Sequence, residues 1–409
     1  MDLEKKNQIQ LSAFKELLKY KRVILKWSTG SGKTMPAIHM LNHLFDNNKI
    51  PRVLIVVAEK AHKNNWKNEI SAFSNKAEQI LNNITIICYA SLKKYINTSW
   101  DFIVFDETHH LKSELRQSFV STIKSKYILA LSATLPLVVK FYLNKTFGNF
   151  LVSSLSLKAS IDNNLLSEPT INIYTLSWKI LNSCRHTLEI NLSKNPTKII
   201  KDYYPNRWKY LRNKSAYKGC KLILYCTAKE KYEYYEEQIN YYKRISMINP
   251  NNQALKNLWL QYGSLRKRYL GELKTETAKT IINEMRKRNS RFITFCCSIN
   301  QSLLFTKECA VNSKNPESFK LIESFNKKEL SELFAVGMLQ EGVTLTNLEE
   351  CLIIQLDGNE RGFIQKTGRA MRAEHPMIHL IVIEGTQDTV YLKNVTENVE
   401  EKYIKVIKI

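Results

Sequence analysis

Short apolar segments alternate with amphipathic segments through the first 150 residues of the chain. The apolar runs predict strands near Val23–Leu25, Val53–Ala58, Ile84–Cys88, Phe102–Phe105 and Tyr127–Leu131. Between the first two runs, apolar side chains recur at helical spacing, at Ile38, Leu41 and Leu44. Strands that alternate with helices form a parallel sheet covered by helices on both faces. The pattern therefore predicts an α/β fold with a doubly wound parallel sheet.

The alternation stops between about residue 178 and residue 290 and then returns. Thr227 and Glu230 form a capping-box signature, which predicts the start of a helix. Further helices are predicted at Leu255–Tyr269 and Thr277–Arg288, and later strands at Arg291–Cys297, Leu333–Val336, Cys351–Gln355 and Ile378–Ile383. Ser167-Glu168-Pro169-Thr170 interrupts the first pattern. We therefore predict a first domain over residues 1–168, a linker with a helical insertion over 169–290, and a second domain over 291–409.

A glycine-rich loop lies between the first predicted strand and the first predicted helix. Its sequence is Ser28-Thr29-Gly30-Ser31-Gly32-Lys33-Thr34. In a strand–loop–helix context, backbone N–H groups of such a loop surround nucleotide phosphates. The ammonium group of Lys33 would bind the outer phosphates, and the hydroxyl of Thr34 would bind Mg²⁺. The loop predicts a nucleotide site built from Thr29, Gly30, Ser31, Gly32, Lys33 and Thr34.

Two adjacent carboxylates follow the strand at Phe102–Phe105. Asp106 and Glu107 would lie at the carboxyl edge of the sheet, where open α/β folds bind ligands. We expect Asp106 to bind the Mg²⁺ and Glu107 to orient and deprotonate the attacking water, because metal binding and proton transfer are separate tasks. His109 and His110 follow, without further His or Cys at the spacing of a zinc site. We therefore predict that His109 couples the nucleotide site to the rest of the fold.

The order of these motifs resembles that of superfamily-2 helicases and translocases. Motif one is Gly30 to Thr34, motif two is Asp106-Glu107-Thr108-His109 of the DExH type, and motif three is Ser132-Ala133-Thr134. Downstream, Gln365-Lys366-Thr367-Gly368-Arg369-Ala370-Met371-Arg372 resembles motif six, although Lys366 stands where Arg is usual. Asn65, Trp66 and Glu69 are similar to the motif-one-a region of Swi/Snf-type and phage UvsW-type members. The resemblance extends from about Gln10 to about Thr386, and it implies two RecA-like domains.

The resemblance also implies roles for residues that the local pattern leaves unassigned. Gln10 corresponds to the glutamine that reads adenine, and the motif-five segment would add Gly342 and Thr344 to the nucleotide site. His109, Ser132, Thr134 and Gln365 would couple the nucleotide site to movement. Arg369 and Arg372 are three residues apart and share a helix face, so both guanidinium groups could reach the γ-phosphate from the second domain. Catalysis is thus assigned to Lys33, Asp106, Glu107, Arg369 and Arg372, with ATP and Mg²⁺ as cofactors.

The charge of the chain indicates a polyanionic partner. The formal net charge is +23 at pH 7, and nucleic acid is the natural partner of so basic a protein. Lys, Asn and Ile are all abundant, so an AT-rich gene is the alternative source of some lysines. Basic and aromatic residues alternate in the helical insertion, which suits phosphate contact with base stacking, or a solvated helix with a tyrosine core. The candidate nucleic-acid residues are Lys60, Ser91, Arg266, Lys267 and Arg268.

The composition also indicates the cellular compartment in which the protein acts. The start of the chain has no hydrophobic signal core, and no apolar run is long enough to cross a bilayer. The eight cysteines include no C-x-x-C pair, which indicates a reducing interior. We therefore expect a cytoplasmic monomer without a membrane partner, and a phage gene acting in a bacterial host is compatible with this.

These observations predict an ATP-dependent DNA helicase or translocase of replication, recombination or repair. An RNA helicase with the same ATPase is the first alternative. The second is an ATP-driven remodelling factor that displaces proteins without unwinding nucleic acid. A small-molecule kinase is disfavoured by the Arg369 and Arg372 motif.

Overall fold

The computed structural model describes residues 2–47, 50–191, 198–202, 220–339, 345–357, 363, 366–368, 373–397 and 399–409. Within them the chain forms two mainly parallel sheets, each with its own hydrophobic core. The predicted fold class, two parallel-sheet α/β domains with a helical insertion, is confirmed. None of the helices described combines the length and apolar character that a bilayer crossing requires.

The first sheet has six parallel strands in the order β3-β2-β4-β5-β1-β6. Its strands are β1 Arg22–Trp27, β2 Val53–Val57, β3 Ile84–Cys88, β4 Ser99–Phe105, β5 Lys124–Ser132 and β6 Leu151–Leu155. Its helices are α1 Leu3–Tyr20, α2 Met35–Asn47, α3 Lys60–Phe73, α4 Ala77–Asn83, α5 Glu114–Val120, α6 Leu137–Phe147 and α7 Leu157–Asp162. The strands β2 and β4 are central and almost wholly buried, which explains their continuous apolar sequences.

The second sheet has seven parallel strands in the order β12-β13-β11-β14-β15-β7-β16. They are β7 Thr170–Leu176, β11 Phe292–Phe295, β12 Ala310–Asn312, β13 Glu332–Val336, β14 Glu350–Ile353, β15 Met377–Ile383 and β16 Ile404–Lys408. The flanking helices are α12 Ile299–Phe305, α13 Ser318–Asn326 and α14 Gln387–Thr396. Strand β7, at the start of the segment predicted as a linker with a helical insertion, lies between β15 and β16 and therefore belongs to this sheet.

The segment between β7 and β11 contains a small sheet and a long helical hairpin. After the short helix α8 Trp178–Leu181, the strands β8 His186–Asn191, β9 Lys198–Asp202 and β10 Cys220–Cys226 form a three-stranded sheet. The hairpin consists of α9 Ala228–Ile248 and α10 Gln253–Leu273, and α11 Thr275–Lys287 follows it. Thr227 and Glu230 form the predicted capping box at the start of α9.

Candidate active site

The glycine-rich loop joins β1 to α2 at the carboxyl edge of the first sheet. Gly30 and Gly32 have φ values of 91° and 80°, which side chains with a Cβ rarely adopt. A Cβ on Gly32 would also lie 2.2 Å from Nε2 of Gln10. The positive φ therefore favours glycine at position 32, as expected where the backbone wraps a phosphate, and a side chain there would also displace the amide of Gln10.

Gln10 and Lys6 extend from α1 to the carbonyl groups of the same loop. The buried amide of Gln10 donates to the carbonyl oxygens of Ser31, at 3.4 Å, and Gly32, at 3.2 Å. Lys6 donates to the carbonyl oxygen of Gly30 at 3.4 Å. The sequence resemblance associated Gln10 with adenine, and its contact in this structure is with the loop. Its role as an adenine reader stays a prediction.

Both carboxylate oxygens of Asp106 are held by hydrogen-bond donors. Trp66 donates its indole N–H to Oδ2 at 2.9 Å, and the backbone N–H of Glu107 donates to Oδ1 at 2.9 Å. Burial and the neighbouring charge of Glu107 raise the pKa of Asp106 to about 6, although Lys33 and the two donors oppose the rise. The two donors thus fix the orientation of the carboxylate.

Glu107 lies between two nitrogen groups and has a left-handed backbone, with φ of 48°. Its Oε1 is 3.1 Å from Nζ of Lys33, and its Oε2 is 3.3 Å from Nδ1 of His109. Burial alone would raise the pKa of Glu107, but Lys33 and His109 lower it to about 2. The phosphate-loop lysine and the predicted catalytic base therefore form an ion pair in this structure.

His109 connects motif two to motif three. Its Nδ1 is 3.4 Å from the hydroxyl of Ser132 as well as 3.3 Å from Glu107. Ser132 donates its hydroxyl to the backbone oxygen of Thr134 at 2.6 Å. The hydroxyl of Thr108 reinforces the junction, because it lies within hydrogen-bond distance of the carbonyl oxygens of both Phe105 and Leu131 and can donate to either. His109, Ser132 and Thr134, three of the four residues predicted to couple the site, form one hydrogen-bonded series between the ends of β4 and β5, and their coupling role stays a prediction.

The residues at this edge fit ATP and Mg²⁺. Mg²⁺ prefers hard oxygen ligands, and Asp106 and Thr34 supply a carboxylate and a hydroxyl. Each carboxylate oxygen has two acceptor sites, so Asp106 keeps acceptor capacity beyond its two donors. The buried hydroxyl of Thr29 has no hydrogen-bond partner among the described residues. Within the same residues, no group of three or more His, Cys, Asp or Glu forms a separate metal cluster.

Gly368, which lies between β14 and β15 of the second sheet, contacts the phosphate loop. A Cβ on Gly368 would lie 2.7 Å from Cβ of Thr29. Lys366, two residues earlier, is 7% exposed and lies 3.6 Å from Oδ2 of Asp357. Lys267 of α10 reaches the same oxygen at 3.5 Å. The described part of motif six, residues 366–368, therefore contacts the loop through Gly368 and is connected to the helical hairpin through Asp357.

Several predicted site residues lie outside the described residues. They are Gly342, Thr344, Gln365, Arg369 and Arg372, and their roles stay predictions.

The candidate nucleic-acid residues are scattered. Lys60 is exposed at the start of α3, and Ser91 is half-buried in the 3₁₀ helix Tyr89–Tyr95. Arg268 is exposed, but Arg266 is buried and paired with Glu236 of α9. The pairing of Arg266 favours a role within the hairpin, and phosphate contact by these residues stays a prediction.

Sequence reasoning missed two contacts of the site. It identified Trp66 but not its hydrogen bond to Asp106, and it assigned nothing to Asp357. An acid that follows a strand at the carboxyl edge of a parallel sheet was the available signal for Asp357. No local pattern links Trp66 to Asp106, since 40 residues separate them.

The comparisons with known proteins match both halves of the chain. Residues 3–137 match the family described as "Type III restriction enzyme, res subunit", and residues 273–374 match the "Helicase conserved C-terminal domain". The chain is 23% identical to the DNA 3'-5' translocase XPB2 of Sulfurisphaera tokodaii, over 93% of this chain and 82% of that protein.

Two solved structures share the fold. The Hef helicase domain of Pyrococcus furiosus covers 95% of this chain and 96% of its own, with a TM-score of 0.51 and 13% identity. Mss116p bound to ssRNA and AMP-PNP covers 95% of this chain and 71% of its own, with a TM-score of 0.53 and 15% identity.

Two parallel-sheet domains that meet on a phosphate loop define a nucleic-acid-dependent ATPase of the helicase class. The two matched families, one in each half of the chain, support an assignment to the superfamily-2 helicases and translocases.

Proposed function

We propose that the protein is an ATP-dependent DNA translocase or helicase that uses Mg²⁺. The observation that carries the ATPase site is the 3.1 Å ion pair between Lys33 and Glu107, which brings the phosphate loop and motif two together. DNA is favoured by the likeness to the DNA 3'-5' translocase XPB2 along 93% of the chain. The DExH assignment, the kinship with UvsW-type and Swi/Snf-type members, and a monomeric cytoplasmic protein are parts of the same proposal.

The Lys33–Glu107 pair gives the site a simple way to change state. An incoming phosphate competes with Glu107 for the ammonium group of Lys33. When Lys33 moves to the phosphate, Glu107 loses the main attraction that lowers its pKa. The carboxylate becomes a stronger base at the moment when a water must be deprotonated. Bound Mg²⁺ would neutralise phosphate charge, with Asp106 and Thr34 holding it.

We propose that ATP hydrolysis depends on the second domain because of motif six. Gly368 contacts Thr29, and Arg369 follows it directly in the sequence. A guanidinium group that enters the site only when the domains close would make hydrolysis depend on closure, as arginine fingers do. Nucleic acid bound across both domains would stabilise the closed state and so stimulate hydrolysis.

The decisive experiment measures ATP hydrolysis with single-stranded DNA, duplex DNA, forked DNA and RNA in parallel. We expect DNA to stimulate turnover more than RNA, and affinity to fall steeply with salt because each phosphate contact releases counterions. A strand-separation assay beside a protein-displacement assay separates a helicase from a remodelling factor. Stimulation by RNA alone would overturn the DNA assignment, and no stimulation by any nucleic acid would overturn the proposed function.

A further inference from the structure

One carboxylate in the second domain is shared by two lysines from different parts of the chain. Oδ2 of Asp357 lies 3.5 Å from Nζ of Lys267 on α10 and 3.6 Å from Nζ of Lys366 in the motif-six segment. We call these three residues the Asp357 cluster. Two ammonium groups repel each other and compete for one anion, so the removal of either strengthens the pairing of the other.

The Lys366 side of the cluster is fixed in the protein. Its side chain is 7% exposed and its ammonium lies 5.4 Å from the ring centroid of Phe295. Burial lowers the pKa of Lys366, and the charge of Asp357 opposes the shift. Gly368, two residues further on, is packed against Thr29 of the phosphate loop. A change in how firmly Lys366 is held is therefore a change at the nucleotide site.

The Lys267 side of the cluster is accessible. Its side chain is 44% exposed, so an outside anion can reach it. The hairpin that carries it is anchored at its base, where Lys274 is paired with Asp388 at 2.7 Å and both side chains are fully buried. Gln355 precedes Asp357 by two residues, and its side-chain oxygen accepts a hydrogen bond from the ammonium group of Lys274 at 2.8 Å. The hairpin thus holds Lys267 in a defined place beside the cluster.

We propose that Asp357 is a positioning residue that couples the helical hairpin to hydrolysis, because a nucleic-acid phosphate on Lys267 releases Asp357 to Lys366 alone. The inference rests on the proposed function, since it requires nucleic acid as the anion. Without nucleic acid, Lys267 competes with Lys366 for the carboxylate of Asp357, and the interaction between Asp357 and Lys366 is weaker. With nucleic acid, Asp357 seats the motif-six segment firmly on the phosphate loop.

The first test removes the competing lysine. Lys267→Gln should weaken binding to single-stranded DNA and lower the salt slope by about one. It should also raise ATP hydrolysis in the absence of nucleic acid, by roughly 2–30-fold, the range of effects on coupling between sites. A lysine that only contacts phosphate would leave this basal rate unchanged, and that result would overturn the proposal. Lys279→Gln is the matched control, since Lys279 is 41% exposed and paired with Glu276 outside the cluster.

The second test removes the shared anion. Asp357→Asn should cut DNA-stimulated turnover by roughly 2–30-fold. It should also tighten DNA binding by about two- to fivefold, because Lys267 no longer has a competing partner. A variant that is merely damaged would lose affinity as well as turnover. Asp357→Glu restores the charge and should recover stimulation, which also covers the case in which Asp357→Asn folds poorly.

The double variant Lys267→Gln/Asp357→Asn closes the cycle. We expect it to lack the raised basal rate of Lys267→Gln, because that rise acts through Asp357. Independent effects of the two substitutions would overturn the coupling. Failure of wild-type protein to respond to any nucleic acid would overturn the proposed function and this inference together. If nucleic acid stimulates the wild-type protein, but the Asp357→Asn variant has the same DNA affinity and the same stimulated turnover as wild type, the inference alone is overturned.

Discussion

Two lysine–carboxylate pairs, one in each domain, have similar distances between nitrogen and oxygen but differ in how far they are buried and in how many other partners they have. Lys33 and Glu107 lie 3.1 Å apart with side chains 15% and 12% exposed, whereas Lys274 and Asp388 lie 2.7 Å apart and are fully buried. The second pair has further fixed partners, because Gln355 accepts from Lys274 and donates to Asp388. The first pair includes Lys33 of the phosphate loop, and a bound nucleotide can replace Glu107 as the partner of this lysine.

The difference shows how the same chemistry is used for exchange or for anchoring. A buried ion pair is costly to break, because the remaining charge has no solvent and no partner. A pair at the edge of a site can exchange its partner for a ligand of the same charge. We therefore expect the first pair to control turnover with little effect on stability, and the second to control stability with little effect on turnover.

The largest expected effect is on hydrolysis at the first pair. Glu107→Gln should retain ATP binding and slow hydrolysis by roughly 10²–10⁴-fold, because a positioned base is lost. Its thermal unfolding temperature should stay close to that of wild type. Turnover is measured under single-turnover conditions, with nucleotide affinity measured separately. Wild-type turnover in this variant would remove Glu107 from the mechanism.

The buried pair should show the reverse pattern. Lys274→Met leaves the carboxylate of Asp388 buried without its cation, which should destabilise the protein by about 3–5 kcal/mol. Lys274→Met/Asp388→Asn should recover part of that loss, since no lone charge remains. Chemical denaturation measures both variants. A stable Lys274→Met protein with strongly reduced turnover would contradict the division between anchoring and exchange.

A third pair sharpens the comparison, since one member is buried and the other is not. Arg288 is 41% exposed and Glu350 is fully buried, with His379 Nε2 2.8 Å from the carboxylate. Burial raises the pKa of Glu350, but hydrogen bonds from His379 and Arg288 lower it to about 2, below the ordinary value of 4.5. The stabilisation is therefore complete above about pH 4.5 and is lost as pH falls toward 2.

The expected loss from this group is roughly 1–3 kcal/mol over that range. Denaturation at a series of pH values measures it, and Glu350→Gln should flatten this part of the profile. An equally steep acid limb in Glu350→Gln would assign the loss to other groups.

The smallest expected effect concerns the support of the metal-binding carboxylate. Trp66→Phe keeps most of the ring volume but removes the N–H donor to Asp106. The Mg²⁺ concentration for half-maximal hydrolysis should rise about tenfold, the effect of roughly 1.5 kcal/mol for a hydrogen bond to a charged group. Trp100→Phe is the control, since Trp100 is also buried but donates to the neutral hydroxyl of Thr98. Equal Mg²⁺ dependence in both variants would contradict the role of Trp66.

The sequence predicted the first domain well, because each central strand is buried on both faces and reads as a continuous apolar run. Strand β3 begins and ends at the predicted residues, and β2 ends one residue earlier than predicted. The edge strand β6 was missed, since two serines interrupt the apolar sequence of Leu151–Leu155. The small sheet of β8, β9 and β10 was missed for a related reason, because its core is limited to a few residues of that segment.

The candidate site was predictable as a set of residues but not as a network. Lys33 and Glu107 were assigned separate partners, a phosphate and a water, and their pairing with each other follows only from the fold. The same holds for Asp357, whose two lysines are about 90 residues and 9 residues away in sequence. A local motif indicates which reaction or ligand a residue can serve. Long-range packing determines which other groups lie close enough to compete for that residue.

The strand order of the second sheet has a consequence for synthesis on the ribosome. The six strands of the first sheet are all translated by Leu155, so that domain can form early. Strand β7 follows within about twenty residues, but its two neighbours, β15 and β16, emerge roughly 200 residues later. At about 5–20 residues per second, this strand and its buried isoleucines wait on the order of 10–40 s for a partner. Nascent chains of this length are the ones that chaperones should bind, at Thr170–Leu176.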